Sequence, residues 1–436
     1  MQYIPNILFA ILLAVGVGYF AKNVKKLIRN IKLGKDVDVS DNSSQRWKNM
    51  AYIALGQSKM VRRPIAGILH VIVYIGFVII NIEVLEIIID GLFGTHRVGL
   101  KILPEPVYGF LIGSFEILAA LVFVSVIVFW LRRNVIKIKR FLSAEMKGWP
   151  KNDGNFILYF EMVLMTLFLI MNATDTTFQN LGHGNVISQY IAPMFSGLSE
   201  GSLHLIERTS WWLHIAGILV FLNYLYFSKH LHILLAFPNT YYGKTTPKGQ
   251  FTNDANVTKE VQMMMDPNAD PFAATPEGEE DQEVERFGAK DATDLSWVNI
   301  LNAYTCTECG RCTSNCPANL TGKKLSPRKI MMDTRDRIEE IGKNIDANKG
   351  QFVDDQKDLF SYISKEEIWA CTSCNACVET CPVSIDPLQI IMEMRRYLVM
   401  EESAAPVELN NMMQNIENNG APWPYNQMDR LNWVNE

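Results

Sequence analysis

The chain has 436 residues, room for two or three domains of ~100 to 200 residues each, and 48% hydrophobic residues with a mean hydropathy of +0.05 exclude a disordered protein. The net charge of -5 hides a split: residues 1–240 carry 22 Lys/Arg against 14 Asp/Glu, and residues 241–436 carry 19 against 32. The first half holds apolar runs near or above the ~18 residues of a membrane span, which excludes a purely soluble protein. All eight Cys lie in the second half in two groups of four, a pattern of metal ligation in a reducing compartment rather than of a disulfide framework.

Five segments read as spans: Tyr3 to Ala21, Pro64 to Ile89, Val107 to Leu131, Asn155 to Met171 and Thr209 to Leu231, each long enough or nearly so to cross ~30 Å of hydrocarbon as a helix. The first is followed, not preceded, by its basic residues (Lys22, Lys25, Lys26, Arg29) and meets no small-residue cleavage site, so it reads as a retained anchor. With the N-terminus outside, 19 Lys/Arg fall on the inner side and three (Arg97, Lys101, Arg208) on the outer. The positive-inside rule therefore predicts an outside N-terminus and a cytoplasmic location for everything after residue 232, in what would be a bacterial inner membrane.

Of seven His, His70, His214, His230 and His232 lie within or at the ends of spans. His70 sits ~9 Å down from the inner start of the second span, and Ser-Lys-His-Leu-His (228–232) brings two imidazoles to the same side from the fifth. On a continuous helix at ~100° per residue, His214 and His232 share a face whereas His230 is turned ~160° from His214, which selects His232. Imidazoles at matching depth on different spans predict bis-imidazole ligation of a b-type haem by His70 and His232, with interfacial or core histidines as the plain alternative. A second haem would use His214. Ile80, Asn81 and Ile82 offer no imidazole where its partner would sit, so the other ligand would come from His96, His183 or His204, or else His214 would face a quinone.

Glu83, Glu86, Glu116 and Glu161 lie within spans, either as proton relays for quinone chemistry or as carboxylates that fix helix packing. Tyr108, Trp130, Trp149, Trp211 and Trp212 are expected as interfacial anchors. After this membrane domain (1–238), residues 239–286 lose periodicity and gain turn formers and acids, as at Asp266 to Pro271 and Glu277 to Glu283, which predicts an acidic linker.

Residues 306–317 read CTECGRCTSNCP and residues 371–382 read CTSCNACVETCP, each a C-x2-C-x2-C-x3-C-P run. Three close thiolates wrap one cubane, and in two-cluster ferredoxins the fourth Cys reaches the other cluster. Cys306, Cys309, Cys312 and Cys381 are thus expected to hold one 4Fe-4S cluster, and Cys371, Cys374, Cys377 and Cys316 the second. Zinc also accepts four Cys, but zinc modules pair two C-x2-C units across a loop. Ser326 to Lys329 opens one helix, and Asp386 and Pro387 begin another through Met400, so residues 287–400 read as an α-helical ferredoxin domain. Arg311, Lys323, Lys324, Arg328, Lys329, Arg395 and Arg396 are candidates to offset cluster charge or dock a partner.

With RRPIAGILH, WWLHIAG, SKHLH, CTECGRCTSNCPANLTGKKLSPRK, IWACTSCNACVETCPVSIDP and RRYLVM in hand, the chain resembles membrane-bound, heterodisulfide-reductase-like iron-sulfur proteins, including electron-transfer-flavoprotein:menaquinone oxidoreductases. Its first half is similar to the γ subunit of respiratory nitrate reductase. That likeness implies His70 and His232 as the inner haem pair, and the missing His near Ile80 departs from the two-haem pattern. Fused relatives continue into cysteine-rich CCG domains, so the resemblance implies that the substrate site, whose catalytic residues are unknown, resides in a CCG-type partner chain. Trp423, Tyr425, Arg430 and Trp433, in the tail 401–436, would dock that partner or strap the tail onto its own cluster domain.

The fold expected is mainly α: a five-transmembrane-helix haem-binding bundle followed by a cytoplasmic α-helical ferredoxin domain. The function expected is an oxidoreductase subunit passing electrons from an electron-transfer flavoprotein or other flavoprotein donor, through two 4Fe-4S clusters and haem b, to menaquinone in the lipid, with no nucleic-acid partner. Quinol oxidation driving disulfide reduction in a partner chain is the reverse alternative. A non-enzymatic anchor or redox sensor is the other.

Overall fold

A computed structural model of the chain describes residues 3–247, 249–267 and 286–435. These residues are mostly helical and contain no named strand; the one β-bridge pairs Lys35 with Ser296. Helices of nine residues or more are numbered here in chain order. Five are long and apolar enough to cross a membrane: α1 (Ile4–Ile31), α2 (Pro64–Phe93), α3 (Glu105–Asn134), α4 (Trp149–Thr174) and α5 (Glu200–Tyr224). Prolines in the first turn start α1 to α4, where a missing N–H costs nothing, and Ser199 caps α5 by accepting from the Ser202 N–H at 3.3 Å. Each helix packs on the next in chain order, and α1 closes the ring against both α2 and α5.

The helices outrun the apolar stretches that announce them. α4 begins at Trp149 rather than near Asn155, because the polar residues Lys151, Asn152 and Asp153 of its first turns continue the helix ahead of the apolar run. α5 differs more: it ends at Tyr224, Ser228 is extended (φ -117°, ψ 147°), and two 3-10 turns lead to α6 (His232–Tyr241). His214 and His232 are therefore not on one continuous helix, and the angular argument that chose His232 does not describe the chain. Tyr108 and Trp211 also differ from interfacial anchors. Both are buried, Tyr108 with its hydroxyl 3.2 Å from Glu86 and Trp211 packed on Phe9 at 5.4 Å.

Within 239–286, α6 runs on to Tyr241 and a further helix, α7 (Ala255–Met265), follows; residues 268–285, with Glu277 to Glu283, lie outside the described residues. The second half is built on α8 (Trp297–Thr305), α9 (Pro327–Ala347) and α10 (Pro387–Met400), with α11 (Val407–Asn419) in the tail. Ser326 caps α9 and Asp386 caps α10, each ahead of a first-turn proline. One hydrophobic core joins the two halves: Leu27, Ile157, Phe221, Leu225 and Leu231 from one end of the bundle pack with Leu295, Ile300, Ile330, Ile338 and Leu398. The start of the tail touches this core through Ala404, whereas Trp423 and Trp433 further along are exposed.

Candidate redox site

Both cysteine runs fold the same way. The third and fifth residues of each run, Glu308 and Gly310 in one and Ser373 and Asn375 in the other, take positive φ (54°, 68°, 55° and 59°), and short helices begin at Arg311 and Ala376. Such a winding turns backbone N–H groups toward the sulfurs: the Ser373 N–H donates to Cys371 Sγ at 3.4 Å, and the Glu308 N–H faces Cys306 in the same way. Left-handed backbone costs a non-glycine residue about 1 to 2 kcal/mol, so Glu308 is held there by its surroundings.

Cys306, Cys309, Cys312 and Cys381 line one cavity, which Cys377 also borders. Cys316 lies instead within electrostatic reach of Cys371 and Cys377. The fourth Cys of each run has thus crossed to the other loop. Burial pushes the Cys306 thiol up to about 12 and Cys381 up to about 11, so thiolates at these positions need a metal to hold their charge. Cys374 alone among the eight is exposed. Arg395 donates to the carbonyls of Cys371 (2.5 Å) and Ile368 (2.9 Å) and stacks on Trp369, while the buried Arg328 reaches the Arg140 carbonyl and Glu145 at the foot of the bundle. Lys324 pairs with Glu366, Lys329 with Asp333 and Glu367, and Arg396 with Glu393; Lys323 stays exposed.

Three imidazoles gather where the start of α2 meets the turn that follows α5. The rings of His70 and His232 lie 6.3 Å apart, and His230 meets His232 at 5.4 Å and Phe221 at 5.4 Å. A separation of this size would leave room for one metal atom bonded at about 2 Å to a nitrogen of each ring. His232 Nδ1 faces the Lys229 carbonyl at 3.0 Å, which leaves Nε2 free, and His70 Nδ1 is buried with no hydrogen-bond partner among the described residues. These residues fit a bis-imidazole group. His214 is elsewhere: it is buried, its Nδ1 faces the Leu164 carbonyl at 3.0 Å, and its ring packs on Phe168.

The outer histidines are not brought to His214. His96 lies 3.2 Å from Asp175, His183 lies 3.5 Å from Glu105, and His204 is exposed beside Glu207. His96, Asp175 and Glu207 have ligand atoms within 4.8 Å of one another, but Asp175 already pairs with Arg97 at 2.6 Å and Glu207 with Arg208, so both carboxylates are neutralised. Glu116 accepts from the Ile187 and Ser188 N–H groups and from Asn172, and Glu86 from the Gly99 N–H and Tyr108, so both fasten loops to helices. Glu83 keeps one buried oxygen without a hydrogen-bond partner among the described residues, and Glu161 lies 3.7 Å from His230.

Sequence reasoning missed Glu308 and the contact it makes with Lys229. Glu308 is 3% exposed inside the first cysteine run and accepts from Lys229 Nζ and from Arg335 at 2.9 Å. Burial works against its charge, but Lys229 and Arg335 outweigh it and hold the carboxyl below its ordinary value. A carboxylate between two cysteines of an anionic cluster's loop is the signal that would have found it.

Residues 305–385 match the 4Fe-4S dicluster domain family. The chain is 28% identical over 99% of its length to a probable iron-sulfur-binding oxidoreductase, FadF, of Bacillus subtilis (strain 168), covering 61% of that protein. It is 26% identical over 92% of its length to EtfAB:quinone oxidoreductase of Syntrophomonas wolfei subsp. wolfei, covering 55% of it. Over 33% of its length it is 29% identical to one of the polypeptides of dihydromethanophenazine:CoB--CoM heterodisulfide reductase of Methanosarcina mazei, covering 36% of that polypeptide. The chain therefore spans little more than half the length of the first two curated relatives, and no solved structure matches it. The resemblance read from the motifs, to heterodisulfide-reductase-like and EtfAB:quinone oxidoreductase-like membrane iron-sulfur proteins, is the one these relatives carry.

Proposed function

We propose that the chain is the membrane electron-transfer subunit of a quinone-linked oxidoreductase, taking electrons from a cytoplasmic donor and delivering them to menaquinone. The observation that carries this reading is the pairing of His70 with His232 at the bundle's inner end, where Lys229 bonds the first cysteine loop. Bound there, a b-type haem and two 4Fe-4S clusters would each exchange single electrons, which divides a two-electron donor–quinone reaction into one-electron stages.

The chain's own residues hold and orient these groups. Cys306, Cys309, Cys312 and Cys381 would hold the cluster nearer the bundle; Cys371, Cys374, Cys377 and Cys316 would hold the other. The exposed Cys374 turns the second set toward solvent and a soluble donor. The Lys229 carbonyl, facing His232 Nδ1 at 3.0 Å, fixes the imidazole so that Nε2 would be the nitrogen available to a haem iron. The excess of basic residues at the inner ends supports an outside N-terminus with the ferredoxin domain in the cytoplasm. An electron-transfer flavoprotein, as in the name of the Syntrophomonas relative, and a CCG-type heterodisulfide-reductase-like chain are the donor-side partners. The exposed Trp423, Met428 and Trp433 of the tail would receive that chain.

The test is a dithionite-reduced minus air-oxidised optical spectrum of the purified protein, repeated with His70→Ala and His232→Ala. A sharp b-type α band, lost in either variant, is expected. A band that survives both substitutions, or an iron-loaded protein with no band, overturns the haem reading.

A further inference from the structure

The two histidine-bearing segments are each tied to the first cysteine run. On the α5 side, the Lys229 ammonium donates to Glu308 and to the Pro150 carbonyl at 2.6 Å, and lies 3.7 Å from Asp153. Its backbone is committed as well. Its N–H donates to Asp153 at 3.1 Å, and its carbonyl faces His232 Nδ1 at 3.0 Å. One residue therefore touches the cluster loop with its side chain and a haem-ligand candidate with its main chain. On the α2 side, Arg311, between Cys309 and Cys312, donates to the carbonyls of Lys59 (3.2 Å) and Met60 (3.3 Å), and Arg63, seven residues before His70, donates to Ser314 at 3.2 Å.

Lys229 and Glu308 are 9% and 3% exposed, and Glu308 is held in left-handed backbone. A buried charge pair of this kind contributes little net stability over an apolar isostere, and a carboxylate in the loop of an anionic cluster opposes cluster charge. Both costs point to a role other than stability. We propose that Lys229 and Glu308 are positioning residues that lock the Cys306–Cys309 loop to the turn carrying His232 and set the redox poise of both, an inference that rests on the haem reading above. The ammonium favours the reduced form of either centre, and the carboxylate opposes it and holds the ammonium in place.

The experiment is a potentiometric titration of the full-length protein in detergent, following the haem band optically and the clusters by electron paramagnetic resonance, for the parent, Lys229→Met, Lys229→Arg and Glu308→Gln. Removing the cation is expected to lower the potentials of the haem and of the first cluster, and removing the anion to raise them. Lys229→Arg, which keeps the charge, stays near the parent, and the second cluster is unmoved throughout. Unchanged potentials, shifts of the same sign in both neutralised variants, or an equal shift of the second cluster overturn the proposal. Should Lys229→Met not accumulate, Glu308→Gln against Lys229→Arg decides. If the parent shows no haem band, the haem reading falls, and the first-cluster potential alone judges the pair.

Discussion

Cys374 differs from the other seven cysteines in being exposed, and its loss should be separable from theirs. If the ligand sets and the haem are as proposed above, Cys374→Ser is expected to lower iron and acid-labile sulfide by about half while leaving the haem band, since one set of four ligands is broken and the other is intact. Chemical iron assay and the optical spectrum check this together, and loss of both clusters would show that the sets do not assemble separately. Arg337 offers a stability test away from the redox groups. Its guanidinium has no exposed surface and donates to Asp291 at 2.7 Å and Asp355 at 2.6 Å, which keep 18% and 22% of theirs. Arg337→Met should cost about 3 kcal/mol, the lower end for breaking a buried pair because the stranded carboxylates retain some water, and thermal unfolding of the purified protein reads it. The cysteines were legible because their spacing is local. The Glu308–Lys229 pair was not, because its members lie 79 positions apart and meet only when the halves dock.

Helix ends, rather than helix existence, separated sequence from structure. Hydropathy located all five long helices, since an apolar run of that length has few other fates. It misplaced the end of α5, because Leu225, Tyr226, Phe227 and Leu231 carry the apolar character past the break at Ser228. His70 and His232 were paired by depth and by helical face; their rings lie 6.3 Å apart, whereas the helical-face part assumed a helix that stops at Tyr224. The inner end of α1 makes a second element-scale test. A Cβ on Gly342 would come within 2.7 Å of Asn30 Nδ2, and that buried side chain donates to the Tyr304 hydroxyl at 3.0 Å, so it has little room to yield. Gly342→Leu should therefore lower stability by about 1 to 3 kcal/mol despite its better helix propensity, and a lowered midpoint of thermal unfolding would show it.

At the scale of the whole molecule, the halves are joined by polar latches at the rim and apolar packing within. Lys26 at 2.7 Å and Arg29 grip Asp346 of α9, and their hydrogen bonds hold its carboxyl below the ordinary value of 3.8. A carboxyl depressed on folding stabilises above its unfolded value and loses that contribution as pH falls through the folded one. Docking of α1 on α9 should thus weaken below about pH 4, and, because the pair is exposed, also in high salt near neutrality. Protease cleavage after Lys26 and Arg29, compared at low and high ionic strength, checks the salt arm. No such dependence is expected of the apolar contacts of Leu27, Phe221 and Leu231.

That shared core also dictates an order of manufacture. Leu27 comes from the first membrane helix and Phe221 from the fifth, so the pocket that Leu295, Ile300 and Ile338 complete does not exist until both ends of the bundle have been synthesised and threaded into the lipid. A newly made ferredoxin segment would until then show its unfilled apolar face to solvent. Iron delivery should accordingly follow insertion, and cells blocked in membrane insertion should accumulate an iron-free, protease-sensitive chain.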